Sequence, residues 1–420
     1  MNETLQNTDR GVTSRIVELF ITSKLSLLLL IASFLAGFAA LALTPREEEP
    51  QIIVPVADIL ISAPGASAEE VEKLVSTPLE SMLRDAGVEA IHIRSLPWWI
   101  DTGKRLTLSQ KLKRALKIAA SVASVFSLAR KIRAGIVISN TIAMPSGALA
   151  ASLARKPHVW YVHELGEEDH GYHFLYGNSI SRRVIDSLST LVLANSQYVA
   201  SKFSRSIKAS KIKVIPYEVR VAANFTQAPA KKTLSANPTF IIAGRVTAEK
   251  GQFEAVCAMS HLIHSRQIKN IRLQILGAQP SDSQVAIIQD FIAANHLTEH
   301  VHLLPFSSEP LTVVRTCDAL LMCSRCEAFG RVTVEAMKLD LPVIAANTGG
   351  SPELVQHGIN GLLYEWGNPL DLAKQILKII SESENYARMS WHATSFANTR
   401  FSATTHAQGL HSAIASLELN

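Results

Sequence analysis

Two carboxylates, Glu327 and Glu335, stand eight positions apart in the segment CSRCEAFGRVTVEA that begins at Cys323. Between them Phe329 and Gly330 form a glycine-bearing turn, and from Arg331 onward the pattern is helical. A turn that feeds a helix leaves backbone N–H groups unpaired and turns the positive end of the helix dipole outward, which suits an anion such as phosphate. Gly330 and Arg331 are the residues that would present those groups. At the helical repeat, Glu327 is expected at the lip of the loop and Glu335 about two turns along, so that both look into one cleft.

Upstream, the segment IIAGRVTAEKGQFEA (Ile241 to Ala255) carries Arg245 and Lys250 five positions apart; downstream runs NTGGSPELVQHGINGLLYE (Asn347 to Glu365). These three blocks, in this order, resemble retaining glycosyltransferases of family 4 with the GT-B fold. The resemblance implies that Arg245 and Lys250 grip the diphosphate of a nucleotide sugar. Glu335 would then accept from ribose hydroxyls, and Glu327 from hydroxyls of the donor sugar. Gly277 would make room beside the base or the phosphates, and Ser351, Pro352 and Glu353 would open a further helix near the donor. Breaking a sugar–phosphate bond develops negative charge on the departing diphosphate, so catalysis belongs with the groups that stabilise it. No D-x-D pair occurs in the chain. Two fixed cations take the place of a bridging metal, and the donor is expected to be a UDP- or GDP-sugar with no metal or other cofactor. Retention, and a glycan or lipid-linked acceptor, rest on the resemblance alone.

His163, in WYVHELGEEDHG, follows a predicted strand and so falls at the carboxyl edge where open α/β sheets bind ligands. A histidine at a strand end is more often structural; the resemblance assigns this one to the transferred sugar, as a catalytic residue beside Glu327. Taken singly, each site residue also has an ordinary reading. Arg245 and Lys250 are possible surface charges, Glu327 a helix-start charge and Glu335 half of an ion pair.

The elements that must position these residues read as α/β. Short apolar runs at Gly135–Ser139, His158–Val162, Thr190–Ala194 and Ile212–Pro216 look like buried parallel strands of a first domain. A second series comprises Thr239–Ala243, Ile271–Leu276, His300–Leu304, Ala319–Met322 and Pro342–Ala345. Two Rossmann-like domains with parallel sheets follow, residues 88–223 and 239–395, joined by a polar linker at 224–238 and trailed by a C-terminal helix at 396–420. Four cysteines in 420 residues make no disulfide framework. Cys323 and Cys326 form a C-x-x-C without a second pair at ligand spacing, so zinc or redox chemistry is not indicated.

The first 86 residues differ in charge, with six Lys/Arg against twelve Asp/Glu, whereas the remainder carries 35 against 24. After a segment at 1–24, Leu25 to Leu43 is nineteen residues without a charge, enough to cross a bilayer as one transmembrane helix, with a cleaved signal peptide as the alternative. Residues 44–86, from TPREEEPQIIVPVADILISAPGAS onward, resemble the strand and helix that follow the first membrane helix of a resistance-nodulation-division efflux pump. The chain therefore reads as a fusion. Its first domain is expected to be incomplete, lacking the usual opening strand and Gly-rich acceptor loop. Gln51–Ile61 and the helix Ser67–Leu83 are the candidates to fill the gap as a strand–helix unit, although Pro55 is poorly suited to a central strand. Positive residues before the apolar run keep the amino terminus in the cytoplasm and export the rest, whereas enzymes of the family that this chain resembles act on the cytoplasmic face. The alternative to an active transferase is a membrane-tethered GT-B-like binding protein without turnover.

Thr102 to Gly135 carries nine Lys/Arg and no acid, with Leu108, Leu112, Ala119, Val122, Phe126 and Ala129 at helical spacing. It reads as a core-facing helix with a solvated basic side or as a helix docked on anionic lipid. Without a recognition motif or interleaved aromatics, a nucleic-acid surface is not indicated. Trp98 and Trp99, just before it, are core residues or interfacial anchors.

Overall fold

A computed structural model describes residues 58–61, 97–101, 103, 106–166, 168, 171–222, 233–279 and 283–417. The chain divides into a unit of residues 1–55 and a unit of residues 56–420, and all described residues belong to the second. The apolar run Leu25–Leu43, the helix Ser67–Leu83 and a strand at Val88 lie outside them. Among the described residues no helix is long and apolar enough to cross a membrane.

The strands expected from apolar runs are present. In the first sheet, β1 (Asp58–Ile61), β3 (Ile136–Ser139), β4 (His158–Val162), β6 (Leu191–Ala194) and β7 (Ile212–Val214) lie in the order β1-β3-β4-β6-β7. β2 (Trp99–Asp101) and β5 (Tyr172–Phe174) form a separate antiparallel pair. The second sheet holds β8 (Thr239–Ala243), β9 (Arg272–Ala278), β10 (Val301–Pro305), β11 (Ala319–Met322), β12 (Val343–Ala346) and β13 (Gly361–Tyr364) in the order β10-β9-β8-β11-β12-β13. Its pairs are all parallel. This is the doubly wound order, with its switch point between β8 and β11. Alternate residues face opposite layers: Phe240 and Ile242 enter one core, Ile241 the other. In the first sheet Trp160 and Val162 point one way, Val159 and Tyr161 the other.

The helices are α1 (Leu108–Lys131), α2 (Ser146–Leu153), α3 (Asn178–Leu188), α4 (Gln197–Phe203), α5 (Gln252–Ser260), α6 (Ser283–Ala294), α7 (Pro310–Val314), α8 (Arg331–Lys338), α9 (Ser351–Leu354), α10 (Pro369–Ser381), α11 (Ser383–Arg400) and α12 (Ala403–Ala415). Thr107 starts α1 with a capping box, accepting from the Gln110 N–H while the Gln110 side chain accepts from its own. At the end of the linker the buried Asp318 carboxylate accepts from the Ser235 and Thr239 N–H groups, which fixes where β8 begins.

Three expectations are corrected, and one alternative is decided. Of the expected strand Gln51–Ile61, the described part Asp58–Ile61 runs antiparallel to β3, where the expectation was a central strand of a strand–helix unit. Among the described residues it pairs with β3 and ends the order of the sheet. The C-terminal helix expected at 396–420 is two helices, α11 and α12, broken at Phe401–Ser402. α12 returns to the first domain because Leu410 and Ala413 complete the apolar layer formed by Ile136, Ile138, Val159, Tyr161, Leu191 and Leu193. In α1 the core stripe begins at Ile118 and continues through Val122, Val125 and Ala129, whereas Leu108, Leu112 and Ala119 are exposed, since the helix starts beyond the end of the layer it covers. Trp98 and Trp99 are core residues: Trp98 stacks on Trp160 at 6.1 Å and donates from Nε1 to the Ile142 carbonyl at 2.7 Å.

Leu410 is 2% exposed and, with Ala413, closes a layer whose other buried members lie more than 190 positions earlier in sequence. Leu410→Ala is expected to destabilise the protein by about 3 kcal/mol, the usual cost of a buried leucine truncation, measured by urea unfolding. A change below about 1 kcal/mol would mean that α12 does not cover the first sheet.

Candidate functional site

The carboxyl ends of β8, β9, β11 and β12 gather the loops that carry the predicted site. Gly251, with φ of 71°, lies where a Cβ would overlap the Cys323 carbonyl oxygen, so the loop 244–251 packs directly on the backbone of Cys323. Arg325 N–H donates to the Glu249 carbonyl at 2.7 Å and continues that contact. Gly349, with φ of 59°, abuts the Glu327 backbone, where a Cβ would stand 2.7 Å from both its N and its O, and Gly350 N–H donates to the Glu327 carbonyl at 2.7 Å. These approaches leave no room for side chains and set Glu327 between two other loops.

Arg245, Lys250, Glu327 and Glu335 do not behave alike. Lys250 Nζ donates to Glu327 Oε1 at 2.5 Å, joining residues 77 positions apart; the Lys250 side chain is 40% exposed and that of Glu327 16%. Arg331 and Glu335 pair at 3.3 Å along α8. Burial raises the Glu335 carboxyl above its ordinary range, against the pull of Arg331. Arg245 is exposed on the loop of Lys250, its carbonyl accepting from the buried Gln252 side chain at 3.0 Å. Gly330 caps α8 in a left-handed conformation, and no side chain covers the amino end of that helix. Gly277 gives its space to the loop rather than to a ligand: a Cβ there would lie 2.6 Å from the Gly244 carbonyl oxygen, next to Arg245. Among the described residues no group of three or more His, Cys, Asp or Glu is placed to hold a metal ion.

Across from these loops, β4 ends at His163. Asn140, at the end of β3, places Oδ1 2.6 Å from His163 Nε2, and the ring packs between Tyr161 at 4.3 Å and Tyr217 at 4.9 Å. Tyr217 in turn meets Phe329, on the Glu327 loop, edge to face at 5.1 Å. The two domains touch further where Ser196 Oγ donates to the Ala328 carbonyl at 2.5 Å and where Glu353 accepts from the Gln197 and Tyr198 N–H groups at 2.8 and 2.6 Å. Glu353 thus reaches the amino end of α4. The acidic loop after β4 is partly engaged: Glu164 accepts from the His163 N–H, and Glu168 pairs with Lys202 at 2.7 Å and with the Tyr198 hydroxyl.

Sequence reasoning missed Asn140, Asn195, Ser196 and Tyr217. The first three follow β3 and β6 directly, so a polar residue after each apolar run was an available signal. Tyr217 had none, since its contacts lie far off in sequence.

Residues 224–396 match the family model for glycosyl transferases group 1, and residues 99–220 that for glycosyltransferase family 4. An uncharacterised glycosyltransferase of Methanocaldococcus jannaschii is 43% identical over 99 residues, which cover 23% of this chain and 28% of that protein. The N-acetyl-alpha-D-glucosaminyl L-malate synthase of Bacillus anthracis is 26% identical over 161 residues, covering 34% of this chain and 42% of that one. The matched part therefore spans less than half the length of either relative. Anabaena HepE, solved with UDP, superposes with a TM-score of 0.65 at 24% identity over 85% of this chain and 98% of its own, and the fold is accordingly GT-B-like. Structures of HepE with UDP and glucose and with UDP-glucose superpose similarly.

Burial lowers both His158 and His163 to about 3, with His406 adding to the effect at His163. Both are neutral in the folded protein near pH 6, whereas the unfolded chain protonates them from about pH 6.5 downward. Protons bound only by the unfolded state oppose folding, so this stability is complete above pH 6.5 and is lost as pH falls toward 3. Each histidine is expected to contribute up to about 1.4 kcal/mol per pH unit in that window, read as a falling melting temperature, with a shallower slope in His163→Gln. An unchanged slope in that variant would place the His163 ring in water. Gly251→Ala is expected to cost roughly 2 kcal/mol or more, from the left-handed backbone and the clash with Cys323, measured by chemical unfolding.

Proposed function

We propose that this chain is a retaining glycosyltransferase, of hexosyltransferase type, that moves a sugar from a nucleoside-diphosphate donor to a hydroxyl of a glycan or lipid-linked acceptor. One observation carries the reading: Lys250 and Glu327, far apart in sequence, meet at the carboxyl edge of the second sheet beside Arg245 and the open end of α8. A diphosphate placed there would face two cations and a row of backbone N–H groups. When the bond between the anomeric carbon and the phosphate oxygen breaks, its electron pair stays on the diphosphate, and these groups stabilise that charge without a bridging metal. Glu327, released from Lys250 as phosphate takes its place, is then able to accept from a sugar hydroxyl, and Glu335 from the ribose. The acceptor oxygen forms the new bond to the anomeric carbon, and its proton passes to the departing diphosphate oxygen.

His163 faces the sugar from the first domain as a neutral imidazole, held by Asn140. Uridine is the favoured base because HepE, a neighbour in fold, is solved with UDP and UDP-glucose; guanosine is the alternative. We further propose that Leu25–Leu43 anchors the chain to the membrane and that transfer takes place on its cytoplasmic face, which requires the orientation opposite to the one favoured by the positive residues before the apolar run.

The test is release of UDP from UDP-glucose by the full chain. Lys250→Ala and Glu327→Ala are each expected to lower the rate about 100-fold with unchanged melting temperature, since loss of one group that stabilises a developing anion has that scale. Equal release by the parent and both variants would overturn the proposal.

A further inference from the structure

The amino-terminal half of α1 stands out from the first domain. Leu108, Leu112 and Leu116 are 84%, 62% and 63% exposed, and their four-residue spacing aligns them on one face. Exposed Lys113 and Lys117 run along one side of this stripe and exposed Lys111 along the other. The helix holds no acidic residue. On the far side of the helix Arg114 interacts electrostatically with Tyr176.

We infer that this stripe docks on an anionic lipid bilayer, its leucines entering the headgroup boundary and its lysines reaching lipid phosphates. Leucine rows edged by lysines match that boundary, since a lysine stem lies along apolar surface while its ammonium stays at the polar level. Charge decides between occupants. A second copy docked by two-fold symmetry would set one basic helix against another, whereas an anionic leaflet neutralises it. The inference is independent of the donor site and of the anchor: it concerns a contact that depends on lipid charge, which an apolar anchor does not.

The full chain with Leu112→Cys, labelled at that thiol with an environment-sensitive nitrobenzoxadiazole dye, reports on the stripe; the unsubstituted chain treated alike supplies the background from native cysteines. Vesicles of phosphatidylcholine are compared with vesicles that also contain phosphatidylglycerol. The dye sits on α1, so a difference between the two kinds of vesicle reports on that helix. Dye emission is expected to rise several-fold with the anionic vesicles alone. The rise is expected to vanish in about 1 M salt, where screening acts within about 3 Å, and to need roughly 100-fold more lipid when Lys111, Lys113 and Lys117 are changed to Glu. These lysines are exposed, and an unchanged melting temperature confirms the fold of that variant. Equal emission with neutral and anionic vesicles, an apolar dye environment before lipid is added, or an unaltered response in the charge-reversed variant would each overturn the inference.

Discussion

The candidate site depends on backbone packed directly on backbone. At Gly251 against Cys323, and at Gly349 against Glu327, any side chain would force two loops apart. Parallel strands of a doubly wound sheet end about 4.8 Å from one another, so loops that leave neighbouring strands diverge unless something holds them together. Here the glycines do so, and the hydrogen bonds from Arg325 to Glu249 and from Gly350 to Glu327 lock the spacing. The consequence is electrostatic. Lys250 and Glu327 come within 2.5 Å because their loops touch at Gly251 and Gly349; flexible side chains alone would not fix that distance.

Such a pairing does more for poise than for stability. Lys250 is 40% exposed, and an ion pair that open to water contributes on the order of 1 kcal/mol or less. Under the proposed function its value lies in holding an ammonium and a carboxylate at one point, so that an arriving phosphate would take the ammonium and free the carboxylate for a sugar hydroxyl. Arg331 and Glu335 repeat the arrangement one loop away, with Glu335 buried enough that its carboxyl is shifted upward. Arg245, exposed on the neighbouring turn, adds the charge that makes the region net attractive to an anion.

The parallel strands were legible because a strand buried on both faces is a continuous apolar run: His158–Val162, Thr239–Ala243 and Ala319–Met322 are bounded as their composition indicates. What the sequence hid were the non-local choices. The direction of β1 depends on which edge it meets, and the return of α12 depends on an apolar layer that no other element fills. β13 was missed because GLLY offers only three apolar residues after a glycine, and β2 and β5 because each is three residues long. In the site, the resemblance to retaining glycosyltransferases is what singled out Glu327, Glu335, Arg245 and Lys250, and nothing in the sequence showed their partners. The contact between Lys250 and Glu327 spans 77 residues and depends on the packing of their loops.

The second domain does not act on His163 through space alone. The loop that begins with Glu327 continues to Ala328, whose carbonyl accepts from Ser196, and to Phe329, which packs on the tyrosine that lies against His163. Beyond α8 and β12, Glu353 accepts two N–H groups at the start of α4, where a carboxylate also meets the positive end of the helix dipole. The turn that presents Glu327 therefore also carries part of the contact between the domains. Any movement that separates Ser196 from Ala328 must also disturb the turn that presents Glu327 and the aromatic contact behind His163. The two halves of the candidate site are consequently coupled, and the polar residues that stand first beyond β3, β4 and β6, Asn140, His163 and Asn195, are tied to one another by the bonds from Asn140 to the His163 ring and from the Asn195 amide to the His163 carbonyl.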